Sequence, residues 1–212
     1  MFEGMSREEI IEQFRRTLEA DAARRTELEQ RIKNLEEEVG RLRPIVGIDA
    51  LTKALNRCFI GEKLEEEVAF HRRLDLTLSL LFLDLDKFKR VNDDAERGGH
   101  QAGDAVLAQL VERLKNTLRR YDSVGRYGGD EFIVILKGVG GEDAVTVAER
   151  IRAVVAKTPF EFQKHKIPVT VSVGVAERKH QEMAFSLIGA ADQALLRAKR
   201  AGGNRVVLDD RT

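Results

Sequence analysis

Apolar positions along the chain fall into two regimes that meet near Pro44 to Asp49. From Ile11 to Val46 they step by threes and fours: Ile11, Phe14, Leu18, then Leu28, Ile32, Leu35, Val39, Leu42 and Val46. The same rhythm carried through the gap puts Asp21 and Arg25 on the seam. A heptad stripe of about five repeats signals a coiled coil, because it keeps one apolar edge facing a partner along the whole helix. One column is mostly β-branched (Ile11, Leu18, Arg25, Ile32, Val39, Val46) and the other mostly leucine (Phe14, Asp21, Leu28, Leu35, Leu42). That combination favours a parallel two-stranded coil. Charged residues fill the remaining faces, which argues against a helix folded onto its own domain. The Asp21–Arg25 interruption reads as a weak, register-setting patch, and Pro44 should end or kink the helix.

Beyond Asp49 the period changes from element to element. Asn56 to about Arg72 reads as a helix, and Leu76 to Leu83 (LTLSLLFL) as a buried central strand. A helix is predicted over about Asp104 to Arg119, on Val106, Leu107, Leu110, Leu114 and Leu118. Short strands at Val124 to Tyr127 and Glu131 to Leu136 flank Gly128 and Gly129, a pair that signals a hairpin because positive φ is cheap at glycine. A helix over Glu142 to Lys157, a strand over Val169 to Ala176, a helix over Phe185 to Ala201 and a strand over Arg205 to Leu208 complete the pattern. The expected fold is α/β of the α+β kind: a central mixed, largely antiparallel sheet surrounded by helices, preceded by a long coiled-coil helix. The expected division is residues 1–47 for the dimerising helix and 48–212 for the globular domain.

Composition narrows the function classes. Formal net charge is zero, so no global basic field gathers nucleic acid. Charged residues at 34% suit a long exposed helix beside a core fed by 42% apolar residues. Cys58 is the single cysteine, which excludes an intrachain disulfide and fits a cytoplasmic location. No apolar run is long enough to span a bilayer, so direct membrane insertion is not expected.

Two acidic clusters carry the candidate chemistry. Asp84-Leu85-Asp86 closes the buried strand, and Asp130-Glu131 follows the double glycine. Strand-end carboxylates suit a hard cation that shares its shell with phosphates, and Lys87-Phe88-Lys89 stands beside the first cluster to meet them. Metal-assisted phosphoryl or nucleotidyl transfer is one reading. Solvated turn acids are an equally good one from composition alone. On an ideal strand Asp130 and Glu131 point to opposite faces, which ranks Asp130 first for direct metal contact unless the turn distorts the strand.

The strings themselves separate these readings. Arg126 to Phe132 reads RYGGDEF; Asp49 to Arg57 reads DALTKALNR; Asp84 to Lys89 reads DLDKFK. Asn92-Asp93 is followed by His100-Gln-Ala-Gly-Asp104, then by VSVG at Val171 to Gly174 and DQALLRAKRAGGN at Asp192 to Asn204. In this order the motifs resemble those of the GGDEF family of diguanylate cyclases, over about Asp49 to Leu208. The resemblance implies a fold like that of nucleotidyl cyclases and polymerase palms. It also implies an activity: two GTP molecules, one per subunit, condense to cyclic di-GMP with loss of two pyrophosphates, in a homodimer.

By position, the resemblance makes Asp84, the Leu85 carbonyl and Asp130 ligands of Mg²⁺, with Mn²⁺ as the alternative. Asp130 also assists deprotonation of the ribose 3′-hydroxyl, and Glu131 is a second catalytic acid. Lys89, Asn92, His100, Asp104, Gly128, Gly129 and Lys199 become substrate-binding residues. Asn92 and Asp104 face the guanine edge, and an Asp there accepts from N1–H and the amino group, which adenine cannot satisfy. Arg119 and Asp122 of R-x-x-D become an inhibitory site for cyclic di-GMP; a helix-end salt bridge is the plain alternative for that short string. Arg150 or Arg152 would add a secondary contact. An upstream sensor domain is the expected further partner, and a catalytically weak domain that only binds GTP or cyclic di-GMP is the alternative function. The sequence departs from the pattern in carrying DAERG between Asn92-Asp93 and Gly99-His100, three residues more than the family's two. Gly203 replaces an arginine, Lys53 and Ala54 replace Gly-Leu, and Leu196 replaces a tyrosine.

Overall fold

The computed structural model describes residues 6–8, 15, 18, 24–34, 47–180 and 182–210. Residues 1–46 and 47–212 form two separate compact units. In the first, residues 24–34 are helical, and Leu28 and Ile32 of the expected seam are 54% and 55% exposed. Seam positions Ile11, Phe14, Asp21, Leu35, Val39, Leu42 and Val46, and the expected break at Pro44, lie outside the described residues.

In the second unit, every residue of β1 (Leu78–Leu85) is buried, which requires neighbours on both edges and both faces. β3 (Glu131–Lys137) and β6 (Val171–Glu177) pair antiparallel on either side. β2 (Ser123–Arg126) pairs with β3, and β7 (Val206–Leu208) lies parallel to β6, giving the order β2-β3-β1-β6-β7. Alternation along β1 sorts its side chains. Leu81, Leu83 and Leu85 enter one core with α3 (Gly99–Thr117) and α4 (Gly141–Lys157). Leu78, Leu80 and Phe82 enter the other with α1 (Arg57–Leu74) and α5 (Ala184–Arg200).

The helices begin and end for local reasons. The Asn56 side chain caps α1 by accepting from the Phe59 amide at 3.0 Å, and Asp75 ends it in the left-handed region. α3 buries Ala102, Val106, Leu110 and Leu114, spaced for one face.

Three elements were not anticipated. α2 (Phe88–Asp93) and a 3₁₀ turn (Ala95–Arg97) lie between β1 and α3, and a small hairpin joins β4 (Phe160–Phe162) to β5 (His165–Ile167). The expectation of positive φ at Gly128 and Gly129 is also corrected, since neither adopts it. Both glycines turn within the ordinary region; a Cβ on Gly128 would overlap the Glu131 carboxylate, while the position at Gly129 is open.

Candidate active site

Asp84 continues the row Leu78, Leu80, Phe82, so the fold carries a carboxylate onto the face covered by α1 and α5 and leaves it 6% exposed. In the ladder it stands between Glu131 of β3 and Ser172 of β6. Directly opposed residues share a face, so Glu131 and Asp84 project to the same side. Asp130 precedes β3 and belongs to the turn, where the alternation argument does not apply.

Lys199 reaches this row because of a glycine. A Cβ on Gly174 would overlap the Ala191 carbonyl and the Leu195 amide of α5, so only glycine lets the helix lie this close to β6. One turn beyond Leu195, the Lys199 Nζ meets Asp84 Oδ2 at 2.5 Å. Burial is the main force on the Asp84 carboxyl and pushes its pKa up to about 6. Lys199 pulls it down, and the charges of Asp130 and Glu131 push it up again.

The turn that bears Asp130 is clamped. The Glu131 carbonyl accepts from the Tyr127 amide at 2.8 Å and the Gly128 amide at 3.3 Å. Arg126 donates to the Gly129 carbonyl through Nη2 at 2.8 Å and Nε at 3.1 Å, while its Nη1 holds Asp49 at 3.2 Å. Asp49 also accepts from the Thr52 amide and hydroxyl at 2.8 and 2.6 Å. Burial works to raise its pKa, but these bonds and the Arg126 charge hold it below the usual value. Tyr127 packs edge-on to Phe82 and lies under the Arg57 guanidinium, 4.6 Å away.

Asp86 acts as a hub beside the row. Its carboxylate accepts from the Thr170 and Ser172 hydroxyls, both at 2.6 Å, and from the Asn204 amide at 2.8 Å. It ties the end of β1 to the loop after α5. Arg205 folds back onto the Gly203 carbonyl at 3.2 Å. Asp86 and Asp49 lie within DLDKFK and DALTKALNR and Arg126 opens RYGGDEF, but the strings alone give none of the three a role. Their spacing carried a signal, but the partners lie 77 to 118 residues away and only the fold brings them in.

The residues expected around guanine come together on α2 and α3. Asn92 Oδ1 fills the space where a Gly103 side chain would sit, next to Asp104. His100 and Asp104 are one turn apart on α3 and both exposed. Lys89 is exposed on α2, three residues before Asn92. With the enlarged loop in place Asn92 still packs against α3, and the 3₁₀ turn takes up the extra residues: Asp94 caps it, and Gly98, at φ 106°, packs against Phe162 with no room for a Cβ.

Arg119 and Asp122 lie elsewhere, in a tight turn after α3. The Arg119 amide donates to Asp122 Oδ2 at 3.0 Å, and the Asp122 amide to the Arg119 carbonyl at 3.0 Å. Asp122 therefore shapes the turn, while the exposed Arg119 guanidinium rests on the Tyr121 hydroxyl at 3.1 Å. Arg150 Nη2 donates to the Thr117 carbonyl at 2.8 Å, and Arg152 Nε to Glu149 at 2.7 Å.

Asp84, Asp130 and Glu131 offer oxygen ligands, but among the described residues no three acidic, histidine or cysteine side chains enclose a metal by themselves. That suits a small hard cation which usually takes one or two carboxylates and fills its shell with water and phosphate. Carboxylate oxygens of Asp84 and Glu131 on one face of the sheet are the hard donors a divalent cation takes, and Lys199 now holds the positive charge at the buried Asp84.

The sequence profile described as diguanylate cyclase, GGDEF domain matches residues 46–205. Diguanylate cyclase DgcP of Pseudomonas aeruginosa is 42% identical over 158 residues, 74% of this chain and 23% of that protein. Diguanylate cyclase DosC of Escherichia coli K12 is 40% identical over 178 residues, 84% of this chain and 38% of that protein. This chain therefore spans between about a quarter and two fifths of the curated relatives' length. Among solved structures, the coiled coil and GGDEF domain of DgcB from Caulobacter crescentus, in complex with c-di-GMP, superposes with a TM-score of 0.73. It is 31% identical, and the match covers 91% of this chain and 99% of that one.

Proposed function

The chain belongs to the diguanylate cyclase GGDEF-domain family, and on that footing we propose that it condenses two GTP molecules into cyclic di-GMP. Each ribose 3′-hydroxyl attacks the α-phosphate of the other GTP. Two phosphodiester bonds form, two α–β bonds break, and two pyrophosphates and two protons leave. The observation that carries this reading is the row of Glu131 and Asp84 across the sheet, with Lys199 on Asp84 and Asp130 in the clamped turn beside it.

Asp84, Asp130 and the Leu85 carbonyl are the residues that would hold Mg²⁺ or Mn²⁺, which draws charge from the phosphate oxygens when bound. Asp130 and Glu131 accept the proton of the attacking hydroxyl. Lys199 and Lys89 hold terminal phosphates; Lys199, which pairs with Asp84 in the structure, would be freed for them by a cation held on Asp84. Gly128 and Gly129 border the substrate: the position at Gly129 is open, and Gly128 makes room for the Glu131 carboxylate. Asn92 and Asp104 read the guanine edge, with His100 lining the pocket. One domain holds one GTP, so the reaction needs a second copy facing it, and the heptad segment of residues 1–47 supplies the pairing. Helical residues 24–34 with exposed Leu28 and Ile32 support this. Arg119 and Asp122 bind the product. An upstream sensor domain acting through the coil and a cytoplasmic setting complete the proposal.

Product chromatography after incubation with GTP and Mg²⁺, run beside a GTP-binding measurement, tests it. Cyclic di-GMP and pyrophosphate at a one-to-two ratio are expected. GTP that binds a dimeric sample and stays intact would identify a binding module instead.

A further inference from the structure

A cavity of about 360 Å³ opens beside the connection from β1 to α2, and neither Asp84, Glu131, Lys199, Asn92 nor Asp104 lines it. Helical phase separates it from the guanine residues. Lys89 and Asn92 fall on one face of α2, while Arg90, Val91 and the flanking Lys87 and Asp94 meet the cavity. Its buried lining is apolar: Ile167 and Val169 are 4% and 6% exposed, and Val91 joins them. Its exposed lining is basic: Lys87, Arg90 and Arg97.

The two acids that also line it are already engaged. Asp86 accepts three hydrogen bonds from Thr170, Ser172 and Asn204. Asp94 caps the 3₁₀ turn and pairs with Arg97 at 3.4 Å. Lys87 and Arg90 have no ion-pair partner among the described residues. Asp94 and Arg97 both belong to the enlarged loop, so the extra residues help to build this wall. An apolar wall beneath unpaired cations suits an anion with an apolar body better than a bare ion.

We propose that this cavity binds a small organic phosphate. Lys87, Arg90 and Arg97 take the phosphate, and Val91, Ile167 and Val169 take a ring or alkyl body. The site stands apart from the cyclase reading, because in the proposed reaction Lys89 and Lys199 hold the phosphates, and Lys87, which stands close to Lys89 in sequence, lines this cavity with Arg90 instead.

Methyl-labelled full chain, titrated with AMP and in parallel with inorganic pyrophosphate, tests this by NMR. AMP is the probe because adenine has no N1–H to offer Asp104. AMP should shift the Ile167 and Val169 methyl signals saturably. Arg90→Glu should weaken that binding at least about tenfold, the equivalent of one lost charge-assisted contact, and Arg90→Lys should retain most of it. GTP turnover should be unchanged in Arg90→Glu. The proposal is overturned by an absence of saturable methyl shifts, by equal shifts in Arg90→Glu, or by pyrophosphate matching AMP at equal concentration. A parallel fall in GTP turnover in that variant would also overturn it, by placing the cavity within the catalytic centre.

Discussion

Asp84 sits where two demands conflict. Its face of β1 is built to be dry, and the metal-binding role proposed for it needs a charge. Burial raises its pKa to about 6 from 3.8, on the order of 3 kcal/mol against the charged form. Because the folded value is the higher one, folding favours the protonated acid. That contribution is complete below about pH 3.8 and is lost as pH climbs through 6. In metal-free protein, the stability of wild type minus that of Asp84→Asn should therefore fall between about pH 4 and pH 7, read from denaturant melts. A flat difference curve would contradict the placement of this carboxylate. Arg119→Ala tests a residue of the opposite kind, an exposed guanidinium held, among the described residues, only by the Tyr121 side chain. It should raise the concentration of cyclic di-GMP needed for half-inhibition by about tenfold or more, the worth of a charge-assisted contact, and leave uninhibited turnover unchanged. The acids themselves were legible because RYGGDEF and DLDKFK are strings. Their environment was not: Lys199 lies 115 residues from Asp84, since 199 − 84 = 115, and no local pattern joins them. Asp122 shows the same gap, since the string R-x-x-D gives no sign of the turn that its Oδ2 holds through the Arg119 amide.

At the level of elements, Gly174 links the sheet to the position of Lys199. Gly174→Ala should push α5 off β6, destabilise the domain by about 1–3 kcal/mol, and lower turnover more than GTP binding. Arg126→Ala should leave the melting temperature close to wild type and reduce kcat by about tenfold or more, since the Asp130 turn loses its clamp. An equal loss in KM alone would mean that the clamp serves binding rather than geometry. The long elements were legible because each buries a full face: β1 as an apolar run, and α3, α4 and α5 as stripes at helical spacing. The expected ends of β1 fell two residues early, because Asp84 and Leu85 continue the strand that the apolar run seemed to finish at Leu83. The β4–β5 hairpin was missed because three-residue strands show too little period. Its stability comes from elsewhere: the Arg113 guanidinium stacks on Phe160 at 3.8 Å, and Gln109 bonds to the Glu161 backbone.

At the scale of the whole molecule, the domain from residue 47 onward has its own two-sided core, and the first 46 residues form a separate unit. Residues 47–212 alone should fold with a melting temperature near that of the full chain, yet sediment as a monomer and lose most turnover at low micromolar concentration. The most direct measurement is the time course of cyclic di-GMP formed from GTP and Mg²⁺ by the full chain, beside the same chain carrying Asp84→Asn. Several kcal/mol of charge stabilisation are at stake, so wild type should accumulate product and the variant should be slower by about a thousandfold. Equal rates in the two proteins, or no product from a folded, dimeric wild type, would contradict the account.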